Sequence, residues 1–149
     1  MRTSLKHPVL SLTLVASQFG LIALLLWQAP LPFDSVSLAF YLVATLLGLW
    51  AVKTMHLGHF NIVPDPMPDI NLVTSGPYAK IRHPMYSAIL IFFAPTIIHF
   101  PNQIVIILYT LLVITLIIKL LYEERLLVDS LPGYTAYKTR TKRLLPFLF

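Results

Sequence analysis

Apolar residues dominate four stretches of this chain: Val9 to Gln28, Ser35 to Met55, Met85 to Phe100 and Gln103 to Tyr122. The formal charges within them are Lys53 and Lys119, each near the end of its stretch, where a long side chain can snorkel to an interface. A helix needs roughly 20 apolar residues to cross about 30 Å of hydrocarbon. The first, second and fourth stretches meet that length. The third is shorter and holds Pro95, so it is expected to kink or to sit partly in the interface. The pattern predicts an all-α integral membrane protein with four transmembrane helices, over about 9–28, 35–55, 85–100 and 103–122, followed by a helical tail over 123–149. The whole chain reads as a single membrane domain.

The breaks between stretches are as informative as the stretches. Ala29-Pro30-Leu31-Pro32 stops the first helix, because proline removes a donor and clashes with the preceding turn. Between the second and third stretches lies a long connection, His56 to Arg82. Its Pro64-Asp65-Pro66-Met67-Pro68 run excludes helix and central strand and predicts an extended arm on the membrane face. Thr74-Ser75-Gly76-Pro77-Tyr78 reads as a turn. His83-Pro84 opens the third helix, with proline at a tolerated first-turn position. Phe100-Pro101-Asn102 makes a tight turn, so the third and fourth helices are expected to be antiparallel neighbours. The fourth helix continues through Glu123 and Glu124 until Pro132-Gly133 separates it from a basic segment, Tyr134 to Arg143.

Charge then orients the bundle. Arg2, Lys6, Lys53, Lys80, Arg82, Arg125, Lys138, Arg140, Lys142 and Arg143 all fall at one set of helix ends, and the loops 29–34 and 101–102 hold no Lys or Arg. Basic residues stay cytoplasmic. Both termini, the long connection and the tail are therefore expected inside. The net charge of +5 is explained by this topology and by anionic lipid, and nucleic-acid binding is not expected because no continuous basic stripe forms. There is no cysteine, which excludes disulfides, a thiol nucleophile and thiolate-ligated metals. The N-terminus resembles a signal peptide, but its apolar run is long and ends without a small-x-small site, so a retained first helix is expected.

The chemistry-bearing residues collect at the same end. Arg82, His83 and Tyr86 begin the third helix, and Glu123 and Glu124 end the fourth at one expected membrane depth. Tyr78 approaches from the connection and Tyr134 and Tyr137 from the tail. Ionisable residues near a bilayer tend to face the bundle interior or a wet cavity. Carboxylates for an ammonium, with Arg and His for a carboxylate, could hold a zwitterion, and the aromatics a ring or a cation.

In this order and spacing, Leu72-Val73-Thr74-Ser75-Gly76-Pro77-Tyr78, Arg82-His83-Pro84-Met85-Tyr86, Glu123-Glu124-Arg125-Leu126, Gly133-Tyr134-x-x-Tyr137-Lys138-x-Arg140 and Arg143-Leu144-Leu145-Pro146 resemble the isoprenylcysteine carboxyl methyltransferase family, and equally the wider group of membrane methyltransferases acting on phospholipids. The resemblance spans about Asn61 to Pro146; the first two helices match only as apolar spans. Where family members often carry Gly after the Arg-His-Pro-x-Tyr motif, this chain has Ser87-Ala88, which still allow close helix approach. The chain is shorter than the eukaryotic prenylcysteine enzymes, so a prenyl-protein substrate is less expected.

The resemblance implies S-adenosylmethionine as cofactor, at the cytoplasmic ends of the last two helices under the tail. Arg82, His83 and Tyr86, with Tyr78, would contact its methionine part or adenosine. Glu123 and Glu124 would hold its ammonium or order the site, and Tyr134, Tyr137 and Arg140 would form the lid. Arg82, His83 and Glu124 would be the catalytic set. The implied acceptor is a lipid or lipophilic small molecule, its carboxylate, thiol or amine methylated after sideways access from the bilayer along Ile89 to Phe93. The five glycines are isolated, so the Gly-rich turn of the soluble nucleotide-binding fold is absent.

Each residue group also has a plainer reading. Arg82-His83 alone suits an interfacial anchor, and Glu123-Glu124 a solvated helix end with Lys119 pairing Glu123 at i, i+4. The tail tyrosines suit an aromatic belt. Gln18, inside the first span, reads as an interhelical hydrogen bond. His56, His59, Asp65 and Asp69 invite a metal, but loop histidines near a membrane surface are common, His99 is expected at the far end, and no metal is expected. Two other functions compete: a sterol-reductase-like enzyme using a reduced nicotinamide cofactor, and a small transporter or assembly subunit. The first usually has more spans, and the second more polar residues at mid-membrane.

Overall fold

The computed structural model describes residues 7–55, 64 and 71–146. Among them the architecture is all helical, with no strand. Four long helices come first: α1 Pro8–Gln28, α2 Ser35–Met55, α3 Pro84–His99 and α4 Gln103–Ser130. A one-turn 3-10 helix, Gly76–Ala79, precedes α3, and a short α5, Tyr134–Arg140, ends the order. The helices α1, α2 and α4 are long and apolar enough to cross a membrane. At 16 residues, α3 is about 24 Å long at 1.5 Å per residue, short of a full crossing. Pro95 lies inside α3 without ending it. The expected spans agree with the helices within a residue except at the end of α4, which continues two turns past Tyr122.

Local chemistry sets the helix starts. Asp34 caps α2, accepting from the Val36 and Ser37 amides at 3.0 and 3.2 Å and from the Ser37 hydroxyl at 2.5 Å. The Ser37 hydroxyl bond holds the Asp34 carboxyl below its ordinary range. Asn102 caps α4 by accepting from the Val105 amide at 3.0 Å. At the same end His99 Nε2 lies 2.9 Å from Asp34 Oδ2, tying the α1–α2 turn to the end of α3.

Packing departs from the simple hairpin expectation. The turn does place α3 beside α4, but α3 packs most closely on α2, and α4 on α1. The reason is side-chain size. The buried residues of α2 are Ser37, Ala44 and Ala51, spaced seven apart, and they leave a shallow face. Ser87 and Ala88 of α3 are buried in return, and a Cβ placed on Gly48 would meet the Ala88 Cβ at 3.7 Å. Small residues let backbones approach closely. Larger residues fill the centre: Leu25, Ala29, Phe93, Val105, Leu112 and Leu116 form the core, with Ile89, Leu90 and Phe92 packed against it. Of the stretch Ile89 to Phe93, Phe93 is buried in this core and the other four residues are half-buried. The outward faces are lined by exposed Leu, Val, Ile, Phe and Trp, including Leu42, Leu49, Ile107 and Ile114, as a lipid-facing surface requires.

Candidate active site

The chain past α4 builds a cap on the start of α3. Gly133, at φ +83°, starts α5 with a left-handed turn that favours glycine. After α5, residues 141–144 run parallel to residues 80–83. Arg82 and His83 amides donate to the Lys142 and Arg143 carbonyls at 2.8 and 3.0 Å, and the Lys142 amide donates to the Lys80 carbonyl at 3.1 Å. The buried Ser87 hydroxyl donates to the Leu144 carbonyl at 2.6 Å. The Tyr137 hydroxyl donates to the Tyr78 carbonyl at 2.6 Å, fastening α5 to the 3-10 turn. The 3-10 turn itself leans on α2: Gly76, at φ +55°, has the Thr54 hydroxyl and Trp50 indole against the place a Cβ would take.

Inside this cap the expected residues converge. Arg82 Nε donates to Glu124 Oε1 at 2.6 Å. Its Nη1 donates to the Lys138 carbonyl at 3.2 Å, to the Thr141 hydroxyl at 3.3 Å and to the Thr141 carbonyl. His83 Nε2 lies 3.4 Å from the same Glu124 oxygen, and the His83 ring stacks on Tyr86 with the planes 2° apart. The other Glu124 oxygen faces Arg143 Nε at 3.3 Å and Lys138 Nζ at 3.8 Å. Glu124 is thus a buried anion ringed by cations, and both its oxygens are taken. Glu123 is more open. One oxygen accepts from the Tyr86 hydroxyl at 2.8 Å and lies 3.8 Å from His83 Nδ1, while the other has no partner among the described residues.

The tyrosines complete the wall. Tyr134 and Tyr137 are buried with ring centres 5.7 Å apart. Burial, then the Glu123 carboxylate, pushes the Tyr78 phenol well up. Burial, then Glu124 and Glu123, does the same to Tyr134. Tyr137 is pushed up to about 12, chiefly by burial. Near neutral pH all three are neutral hydroxyls beside two carboxylates.

Of the site residues expected from sequence, Tyr78, Arg82, His83, Tyr86, Glu123, Glu124, Tyr134 and Tyr137 are brought together. Arg140 is exposed at the end of α5, and Arg143, three residues on, reaches Glu124 instead. Thr141 and Ser87 were also missed, because their partners are backbone carbonyls, which no side-chain pattern signals. Lys119 needs a further correction. It neither snorkels nor pairs with Glu123; it is 1% exposed, and its Nζ donates to Gln18 Oε1 at 2.7 Å. Packing of α1 on α4 brings Gln18 to it, so the expected interhelical bond of Gln18 is present. His56, His59, Asp65 and Asp69 lie outside the described residues, and His99 sits at the opposite end of α3. Among the described residues no group of three or more His, Asp or Glu is arranged to hold a metal.

An all-helical apolar bundle with a buried polar cluster at one end, capped by its own tail, defines an integral membrane protein. The family model described as the isoprenylcysteine carboxyl methyltransferase (ICMT) family matches residues 37–129, well over half the chain. The chain belongs to that family of membrane methyltransferases. The match begins earlier than the resemblance read from the motifs, within α2, and stops at the end of α4, before α5. The comparison with curated proteins finds no match.

Proposed function

We propose that this protein is an S-adenosylmethionine-dependent methyltransferase whose site opens at the cytoplasmic face and whose acceptor is a lipophilic molecule of the bilayer. The observation that carries the reading is the convergence of Arg82-His83 with Glu123-Glu124 under an aromatic cap. The cofactor has an ammonium, a carboxylate and an aromatic base, and the residues fit these groups. Glu123, more exposed than Glu124 and with one oxygen unpartnered among the described residues, suits the ammonium; the His83–Tyr86 stack and Tyr78 and Tyr134 suit the base or the cationic sulfur. Arg82 has its Nε and Nη1 engaged by Glu124 and the tail, so its first task is to hold the cap in place.

When bound, the cofactor supplies a methyl group already activated on a sulfonium. The residues then contribute by positioning it and by excluding water, which can supply most of the acceleration. A carboxylate or thiolate acceptor needs no base from the protein. An amine must first lose a proton, a role open to His83 or one of the glutamates.

Orientation rests on charge. Lys80, Arg82, Lys138, Lys142 and Arg143 crowd the site end, while Asp34 and His99 mark the other, and by the positive-inside rule this supports a site and termini that face the cytoplasm. A mainly apolar, open groove of about 720 Å³ between the start of α1 and α4, lined by His7, Pro8, Val9, Leu10, Thr13, Tyr122 and Arg125, offers a route for sideways access from the bilayer. Titration calorimetry of the detergent-solubilised protein tests the reading. S-adenosylmethionine and its demethylated product should bind and a reduced nicotinamide cofactor should not; the reverse would establish the reductase alternative. Label from the cofactor should pass into the organic phase of a membrane lipid extract, and label confined to aqueous products would overturn the lipophilic acceptor.

A further inference from the structure

Lys119 is the largest fully buried side chain of the described residues, and nothing in the proposed chemistry uses it. It stands one helical turn before Glu123 on the same face of α4. Its ammonium has two neighbours from two other helices. Gln18 Oε1 of α1 accepts at 2.7 Å, and the Tyr86 ring of α3 has its centre 5.3 Å away. Tyr86 in turn donates to Glu123 and stacks on His83, which faces Glu124. The buried cation therefore leads, through one aromatic ring, to the more exposed of the two carboxylates.

Burying an ammonium in a membrane bundle is costly, and a leucine at 119 would pack without that cost. A hydrogen bond to Gln18 alone requires no charge, since a neutral amide could make it. What the charge adds is attraction to the face of Tyr86, an interaction that strengthens when desolvated, and to the Glu123 carboxylate one turn on.

We propose that Lys119 is a positioning residue of the site: its ammonium, anchored by Gln18, holds the Tyr86 ring and through it sets the Glu123 carboxylate. The helix α1, which lies outside the segment matched by the family, thereby takes part in shaping the site. This rests on the methyltransferase reading above.

The test separates charge from bracing. Lys119→Gln keeps a hydrogen-bonding partner for Gln18 and removes only the cation. Lys119→Met with Gln18→Leu removes both polar groups and leaves an apolar contact. Both variants should melt within a few degrees of the wild type, yet bind S-adenosylmethionine at least tenfold more weakly by calorimetry. In a Tyr86→Leu background Lys119→Gln should cause a clearly smaller further loss, because the ring is gone and only the direct attraction between Lys119 and Glu123 remains. Wild-type affinity in the two Lys119 variants would overturn the proposal, as would an undiminished effect in the Tyr86→Leu background. Should one variant fail to fold, the other decides. A wild-type protein that does not bind the cofactor would overturn the methyltransferase reading and this inference with it, whereas wild-type binding with unaffected variants overturns the inference alone.

Discussion

Arg82 and Glu124 are 42 residues apart in the chain and 2.6 Å apart in space. Their contact joins the start of α3 to the end of α4, and the same guanidinium holds the tail by its backbone carbonyls. One residue thus locks three segments. A buried pair contributes little when compared with apolar packing, but removing one partner leaves the other as an uncompensated buried charge.

Arg82→Met should therefore destabilise the protein by about 3–5 kcal/mol, the range for breaking a buried pair. It should also release the tail, whose exposed Arg140 and Lys142 would become fast sites for trypsin. Thermal unfolding in detergent and timed proteolysis read the two effects. An unchanged digestion rate would show that α5 and Ser87 hold the tail without Arg82.

The two adjacent glutamates should separate by function. Glu124 is saturated by Arg82, His83, Arg143 and Lys138, whereas the contacts of Glu123 among the described residues are those of one oxygen with Tyr86 and His83. Glu123→Gln is expected to keep the melting temperature and to weaken S-adenosylmethionine binding by more than tenfold, about 1.4 kcal/mol. Glu124→Gln is expected to lower both. Equal effects of the two substitutions on melting would contradict this division.

Gly76 should tolerate no side chain. Its φ of +55° disfavours any other residue, and a Cβ would come within 2.6 Å of the Thr54 hydroxyl, which is itself bonded to the Trp50 carbonyl at 2.8 Å. Gly76→Ala should cost about 1–3 kcal/mol, the range for a non-glycine residue held in a left-handed conformation, plus the clash. Gly20→Ala, where a Cβ meets nothing within 4 Å, is the control and should be neutral or stabilising.

Topology can be read with single cysteines, because the chain has none of its own. Ser35 and Ser75 are both exposed, at opposite ends of α2. A cysteine at 35 should react with an impermeant maleimide on intact cells, and one at 75 only after permeabilisation. The opposite pattern would move the site to the outer face.

The sequence by itself determined the helices. Apolar length, proline punctuation and the absence of charge act within each segment, so Pro8–Gln28, Ser35–Met55 and Pro84–His99 were legible almost to the residue. The site residues were largely legible too, because Arg-His and Glu-Glu sit at helix ends that a tight turn must bring to one level. Pairing of the helices was not legible. It depends on which faces interlock, and only three-dimensional packing shows that the small residues Ser37, Ala44 and Ala51 draw α3 onto α2 while α1 covers α4. The same packing decided the fate of Lys119: a charge near the end of a span can reach an interface, but once Gln18 arrives from α1 the buried hydrogen bond holds it inside. The tail was settled in the same way. Backbone carbonyls of residues 138–144 capture Arg82, His83 and Ser87, and no side-chain pattern encodes a carbonyl. Tertiary structure thus turned two adjacent glutamates of identical chemistry into a buried hub and an open carboxylate, because desolvation and partner number are properties of place.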